Sequence, residues 1–350
     1  MKKIVIALFC AAAALAVAGC AKNASEGVND AAKKYFDAWL ITNYPEAVKM
    51  DPGYYVISET PGTGEAAGTV EDNYFAHAEY TTYNLDGEIQ TTTEAKVAQQ
   101  LGTYNTSYYY GPKVLTRGEL GMTAGLDAAI SRMRVGGRAK IIIPGWLNST
   151  ASQSSGYYYP RYDTEDEYLE NCTGSNVIYD ITLVENFTDV AEWETDSMAR
   201  YVDRHMPGTD TLKYGFYFRQ TQAPAAGTDT LSNGDVVLIN YSGRLLNGQV
   251  FDTNMADTAK FYNIYSSSKT YGTQTVYIDK DDYTGIKFGT SSEAGTDMID
   301  GFAYCLYHMT VGEKATCIFY SGLGYNYSGS GDAIPPYSPL RFDIEIVSKK

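Results

Sequence analysis

The sequence predicts an α+β protein in which one plan is used twice: a mainly antiparallel sheet with a short helix against it, the two copies joined by a connector helix. Three observations carry this. Blocks recur in the same order: Tyr80 to Gly87 (YTTYNLDG) and Tyr241 to Gly248 (YSGRLLNG) share Tyr, Thr/Ser, Leu, Asp/Asn and Gly at identical offsets, and Gly125 to Ile143 (GLDAAISRMRVGGRAKIII) matches Gly301 to Phe319 (GFAYCLYHMTVGEKATCIF) at Gly, Met, Val, Gly and Ala. Near the end of each copy, Tyr179-Asp180-Ile181-Thr182-Leu183 and Phe342-Asp343-Ile344-Glu345-Ile346 alternate as half-buried strands do. Two further segments, before and between the copies, carry apolar residues at helical spacing.

Composition narrows the function. Of 350 residues, 44% are apolar, enough to build cores and to exclude wholesale disorder. The charge of −15, with no Lys/Arg cluster after Lys3, argues against a nucleic-acid partner. The five Cys lack paired CxxC spacing, and His77, His205 and His308 are too few and too scattered to complete metal-ligand sets; all three His read as structural. The 32 Tyr favour strands and supply apolar bodies with polar tips.

In chain order, Lys2 and Lys3 precede an apolar run from Ile4 to Gly19, short of the ~20 residues needed to span a bilayer. Residues 1–19 read as a signal peptide. The Val17-Ala18-Gly19-Cys20 boundary resembles the bacterial lipobox, which implies lipidation at Cys20 and a lipid-anchored protein of the bacterial cell envelope; an ordinary secretory signal is the alternative. Ala21, where an Asp would resemble an inner-membrane retention signal, favours the outer membrane. Residues 20–49 are a tether and a helix over 30–42, with Asn29 as its cap and Ala31, Ala32, Tyr35, Phe36, Trp39 and Leu40 as one apolar stripe. The first copy covers 50–188. A connector, 189–208, holds a helix over 190–205 with Val190, Trp193, Met198, Tyr201 and Val202 on one face and Glu192, Glu194, Asp196 and Asp203 away from it.

The second copy covers 209–350. It reads as a strand from Val236 to Tyr241, a tight turn at Asn247-Gly248, a helix over about Asp300 to His308 with Phe302, Cys305 and Leu306 inward, and strands from Lys314 to Phe319 and Leu340 to Val347. Whether Cys305 and Cys317 pair or remain core thiols is left open by the sequence.

The blocks of the second copy, GDVVLINYSGRLLNGQVFD (Gly234 to Asp252), MIDGF (Met298 to Phe302), MTVGEKA (Met309 to Ala315), GLGYN (Gly322 to Asn326) and IPPYSPLRFDIEI (Ile334 to Ile346), resemble the FKBP family of peptidyl-prolyl cis-trans isomerases. The resemblance implies a curved antiparallel sheet wrapped around a short helix, and the whole arrangement is similar to tandem FKBP-like lipoproteins of the Bacteroidetes. It implies a pocket lined by Tyr241, Phe251, Asp252, Met298, Ile299, Phe302, Tyr325, Ile334 and Phe342. Phe302 would be the floor, where many members have Trp; Phe251 and Phe342 would flank the proline ring. Tyr325 and the Ile299 N–H would hold substrate carbonyls, and Asp252 would face the amide or orient Tyr241. Proline-containing polypeptide clients and macrolide inhibitors are the implied partners, and no cofactor is implied. Taken singly, each apolar residue reads only as core.

The chemistry suits such residues. An X-Pro bond isomerises over a barrier of roughly 18–20 kcal/mol set by amide resonance. The twisted amide is less dipolar than the planar one, so a dry apolar pocket favours it without nucleophile, metal or proton shuttle. The first copy departs from the pattern: Gln90-Thr91 replace Phe251-Asp252, Thr123 replaces Ile299, Leu126 replaces Phe302, and no Ile-Pro-Pro precedes its last strand. It is expected to fold alike without catalysing. The long connections at 254–287 and between Pro144 and Asn176 read as solvated loops, with Tyr157 to Pro160 a candidate contact and 254–287 a candidate pocket rim. The leading expectation is an isomerase assisting exported proteins; the alternative is a non-catalytic envelope chaperone or scaffold, and a glycan-binding surface is a third, prompted by the Tyr content.

Overall fold

The computed structural model describes residues 27–154, 156–227 and 230–350. The expected signal peptide and the lipidation candidate Cys20 lie outside the described residues.

Helix α1 (Asp30–Asn43) packs on the first sheet through Phe36 and Leu40, with the Phe36 ring edge-on to Trp146 at 5.5 Å. The stripe is narrower than its spacing suggests: Ala31, Ala32 and Tyr35 are exposed. Asn29 stands at the N-cap position but does not cap. Its side chain is buried and donates to the carbonyls of Leu169 and Cys172, tying the helix to the far end of the first copy.

The first sheet has strands β1 (Val48–Met50), β2 (Tyr54–Thr60), β3 (Phe75–Tyr83), β4 (Ile89–Thr92), β5 (Lys113–Thr116), β6 (Arg138–Ile143) and β9 (Val177–Phe187). Their order is β1-β2-β6-β9-β3-β4, with β5 also on β3. The short helices are α2 (Ala95–Gln100) and α3 (Ala124–Arg132). The second sheet has β10 (Thr211–Lys213), β11 (Phe216–Gln222), β12 (Val236–Leu245), β13 (Val250–Thr253), β14 (Gln274–Tyr277), β15 (Lys287–Phe288), β16 (Lys314–Phe319) and β17 (Leu340–Lys349), in the order β10-β11-β16-β17-β12-β14-β15 with β13 on β12. All these pairings are antiparallel, and strand for strand the second order repeats the first, with β15 added. Each sheet covers its own core. Helix α7 (Asp300–Tyr307) buries Phe302, Cys305 and Leu306 against the second sheet.

The glycine shared by the two helices has a steric cause. A Cβ at Gly125 would lie 2.4 Å from the Ile143 side chain, and one at Gly301 2.4 Å from the Phe319 ring, so only glycine lets helix and sheet meet this closely. Cys172, Cys305 and Cys317 are free and buried. Burial, together with the neighbouring Cys317, pushes the Cys305 thiol well above its ordinary pKa.

The 254–287 connection is not a plain loop. It forms helix α6 (Ala256–Phe261) and strand β14, which extends the sheet along β12. The first copy contains the same module in α2 and β5. In both, a Tyr pair stacks, Tyr104 with Tyr110 at 5.1 Å and Tyr265 with Tyr271 at 5.0 Å. In both, the second Tyr hydroxyl accepts a backbone N–H, from Asn105 or Ser266. The segment between Pro144 and Asn176 is likewise structured, with a hairpin of β7 (Ala151–Gln153) and β8 (Gly156–Tyr158) and helix α4 (Glu165–Asn171).

Connector helix α5 (Val190–His205) buries Met198 and Val202 beside Ile318. Glu194 is not on a solvated face as its spacing suggested. It is 1% exposed, and its carboxylate accepts the Ser321 N–H and hydroxyl, each at 2.6 Å. Burial outweighs those bonds and raises its pKa from 4.5 to about 6. A folded-state pKa above the unfolded one contributes stability fully present below the unfolded value and lost as pH rises through the folded one. The contribution is about 2 kcal/mol at most. The helix contact is therefore expected to be tighter at pH 4.5 than at pH 7, and Glu194→Gln to flatten that window. Urea unfolding of wild type and variant across these pH values checks it; identical pH slopes would contradict it.

Candidate active site

The site begins with the backbone of Tyr241 on β12. Buried Asn254 accepts the Tyr241 N–H at 2.8 Å and donates to the carbonyls of Ile239 and Gly272. The Thr253 hydroxyl donates to the Tyr241 carbonyl at 2.7 Å. With its main chain held, the Tyr241 hydroxyl donates to Asp252 Oδ2 at 2.8 Å, and the Lys269 ammonium pairs with Oδ1 of the same carboxylate. Lys269 comes from the repeated Tyr module, which thus closes over one edge of the pocket. Burial first, then Asp252, pushes the Tyr241 pKa well up, and the same two causes raise that of Tyr325. Both phenols stay protonated donors at neutral pH.

Around this polar edge stands a cavity of about 590 Å³. It is lined by all nine residues expected from the sequence: Tyr241, Phe251, Asp252, Met298, Ile299, Phe302, Tyr325, Ile334 and Phe342. The rings are set edge to face: Phe302 meets Tyr241 at 5.4 Å and Phe342 at 5.0 Å, and Phe251 meets Phe342 at 5.6 Å. Gly243 permits this, because a Cβ there would lie 2.5 Å from the Phe251 ring and 2.7 Å from Phe342. Phe302 is buried as a floor. Ile299 is the N-cap of α7, where main-chain N–H groups have no partner within the helix and remain able to meet a carbonyl.

Phe288, Asp297, Ser330 and Ala333 also line the cavity and were not among the expected residues. Phe288 lies on two-residue β15, too short to show a period, and packs 5.8 Å from Phe302. The Lys269 contact was also missed. A signal for its module is present: YNTSYYYG (Tyr104 to Gly111) and YSSSKTYG (Tyr265 to Gly272) form another pair of repeat blocks.

The first copy lacks this arrangement. The ladders place Gln90 and Thr91 where Phe251 and Asp252 stand, and Tyr179 where Phe342 stands. The Thr91 hydroxyl is bonded to that of Thr82, and the Thr123 hydroxyl is buried with no hydrogen-bond partner among the described residues. Pro160 is buried, Arg161 donates to the Met122 carbonyl and to Asp127, and Tyr159 N–H donates to the Glu119 carbonyl. This segment, which read as solvated, therefore packs against the helix that corresponds to α7.

The cavity is thus ring-lined, with the Tyr241 and Tyr325 phenols, the Asp252 and Asp297 carboxylates and the N-terminal turn of α7 on its wall. Residues 227–347 match the family model for FKBP-type peptidyl-prolyl cis-trans isomerases. FK506-binding protein 2 of Dictyostelium discoideum is 30% identical over 139 residues, covering 40% of this chain and 80% of that protein. The macrophage infectivity potentiator of Trypanosoma cruzi is 28% identical over 144 residues, covering 41% of this chain and 58% of that protein. Among solved structures, a peptidyl-prolyl cis-trans isomerase of Pseudomonas syringae is 22% identical and covers 46% of this chain and 93% of its own, with a TM-score of 0.31. The chain belongs to the FKBP-type peptidyl-prolyl cis-trans isomerases, with two FKBP-like domains in tandem.

Proposed function

We propose that the cavity of the second domain catalyses X-Pro isomerisation in exported polypeptides, and that the first domain does not catalyse. The observation that carries this is the assembled wall: Phe251, Phe302 and Phe342 line one cavity together with the hydrogen-bonded pair Tyr241 and Asp252 and with Tyr325. The proline ring enters between Phe251 and Phe342 over Phe302. Water is shed from the amide, which favours the less dipolar twisted state. Tyr325 and the N–H of Ile299 hold carbonyls on either side, and Asp252 keeps the Tyr241 hydroxyl turned aside from the ring. Macrolides of the kind FKBP pockets accept should compete for the same space. The full-length chain is expected to shorten the slow, proline-limited refolding phase of a test protein. A slow phase unchanged at any enzyme concentration would contradict the proposal.

The place of action rests on the sequence: a lipid on Cys20 would hold the protein at the cell envelope, most simply at the outer membrane. Two acyl chains or more give stable anchoring at about 0.8 kcal/mol per buried CH₂. Cys20→Ser is expected to shift the protein from the membrane to the soluble fraction. Unchanged fractionation, with no lipid mass on the N-terminal peptide, would refute the anchor.

A further inference from the structure

The loop that carries Ile334 into the cavity is held from outside the second domain. It leaves the pocket at Tyr325 and returns to β17 at Leu340. It is folded back on itself by paired bonds between Ser330 and Ile334, and by the Tyr337 N–H donating to the Asn326 carbonyl at 2.9 Å. Asn326 and Tyr337 both have positive φ, 49° and 55°, a region that disfavours side chains other than glycine's. Such a conformation persists only where its surroundings over-determine it.

At Tyr337 the surroundings include the first domain. At the loop's tip, the Tyr109 N–H donates to the Asp332 carbonyl at 2.7 Å. At its base, the Tyr337 ring meets Phe75 edge-on at 5.4 Å, and its hydroxyl lies 3.5 Å from that of Thr116. Two further bonds fasten the same pair of surfaces: Gln249 to the Tyr108 carbonyl at 3.0 Å, and Thr106 to the Asn263 carbonyl at 2.6 Å. Tip and base of one pocket wall are thus both gripped by strands and loop of the other domain.

We infer that the first domain positions the pocket wall for isomerisation, with Phe75 and Tyr109 as positioning residues that act through Tyr337 and Asp332. This rests on the assignment of isomerase activity to the second domain. Ile334 touches the substrate ring; Phe75 does not, and works by keeping the wall closed in the free enzyme. Loss of the grip leaves the chemistry of the rings intact but lowers the fraction of molecules with a formed pocket, which weakens apparent substrate affinity in proportion.

The test uses the full-length chain. Phe75→Ala is expected to raise KM for a proline-containing peptide at least threefold with kcat within twofold of wild type, and Phe75→Tyr to restore the wild-type KM. Tyr337→Gly removes the ring at a backbone position that glycine suits, and serves if Phe75→Ala does not fold; the double variant should be no worse than the weaker single one. Amide exchange over residues 330–333 is expected to quicken in both single variants, a readout that needs no activity. Unchanged exchange, or folded variants with wild-type KM, or effects that multiply in the double variant, would overturn the inference. An inactive wild type whose exchange still quickens in the variants would refute the assignment of activity and leave the grip standing.

Discussion

Exchanging Phe251-Asp252 for the pair that the first domain carries at the same place, Phe251→Gln with Asp252→Thr, is expected to lower kcat/KM for a proline peptide by about 100-fold or more. Phe251 supplies one flank of the ring slot, 5.6 Å from Phe342. A glutamine there places an amide against the proline ring, and desolvating an unpaired amide costs on the order of 1–3 kcal/mol. At 1.4 kcal/mol per factor of ten, that alone is roughly 5- to 150-fold. Removing the carboxylate releases the Tyr241 hydroxyl and leaves the Lys269 ammonium without its partner at the pocket edge. Both positions pair with β12 or sit beside it, and threonine suits a strand, so the second sheet should survive. Steady-state kinetics, with circular dichroism to confirm the fold, check this; an exchange that leaves kcat/KM within threefold of wild type would show that the slot is elsewhere.

The largest effect on stability is expected at Arg117, in the first domain. This residue is 0% exposed, and its guanidinium is satisfied on every side: Asp127 at 2.9 Å, Ser131 at 2.6 Å, and the carbonyls of Ala67, Gly68, Thr69 and Asn73. It binds a turn, a strand end and helix α3 into one unit, while Asp127 also accepts the Gly118 N–H at 3.0 Å. Truncation to Ala takes one donor from Asp127 Oδ1 and from four carbonyls, of which those of Ala67 and Thr69 keep other donors. Breaking a buried pair of this kind costs about 3–5 kcal/mol. Arg161, at 3.2 Å from the other Asp127 oxygen, offsets part of that loss and places the expectation at the lower end. The urea midpoint of the first domain should fall by about 1–2 M. All three tryptophans, Trp39, Trp146 and Trp193, lie before residue 209, so their fluorescence reports this unit and its connector. An Arg117→Ala midpoint equal to that of wild type would contradict the account of this cluster.

Much of the plan was legible because it is written in local periods and in a repeat. Helix α5 has the bounds its spacing implied, and strand β16 runs from Lys314 to Phe319 as expected. All nine pocket residues were found together because five blocks in fixed order single them out, where each alone reads as core. What escaped depends on partners far along the chain. Glu194 looks like one acidic residue among several on a helix; only Ser321, 127 positions away, makes it buried. Asn29 has the composition of a cap, but the carbonyls of Leu169 and Cys172 compete for its amide and win. The Lys269 contact with Asp252 escapes because the 254–287 segment reads as a loop, although the same module stands in the first domain. The grip on the Ile334 loop could not be read at all, since Phe75 and Tyr337 belong to different copies and share no motif.

The most direct test of where catalysis resides is the proline-limited refolding assay run with three full-length chains: wild type, Phe251→Gln/Asp252→Thr, and Gln90→Ala/Thr91→Ala. The wild type and the Gln90/Thr91 variant are expected to accelerate the slow phase equally, and the Phe251/Asp252 variant to leave it at its uncatalysed rate. Acceleration by a folded Phe251/Asp252 variant equal to that of wild type, or its loss on changing Gln90 and Thr91, would contradict the assignment of catalysis to the second domain.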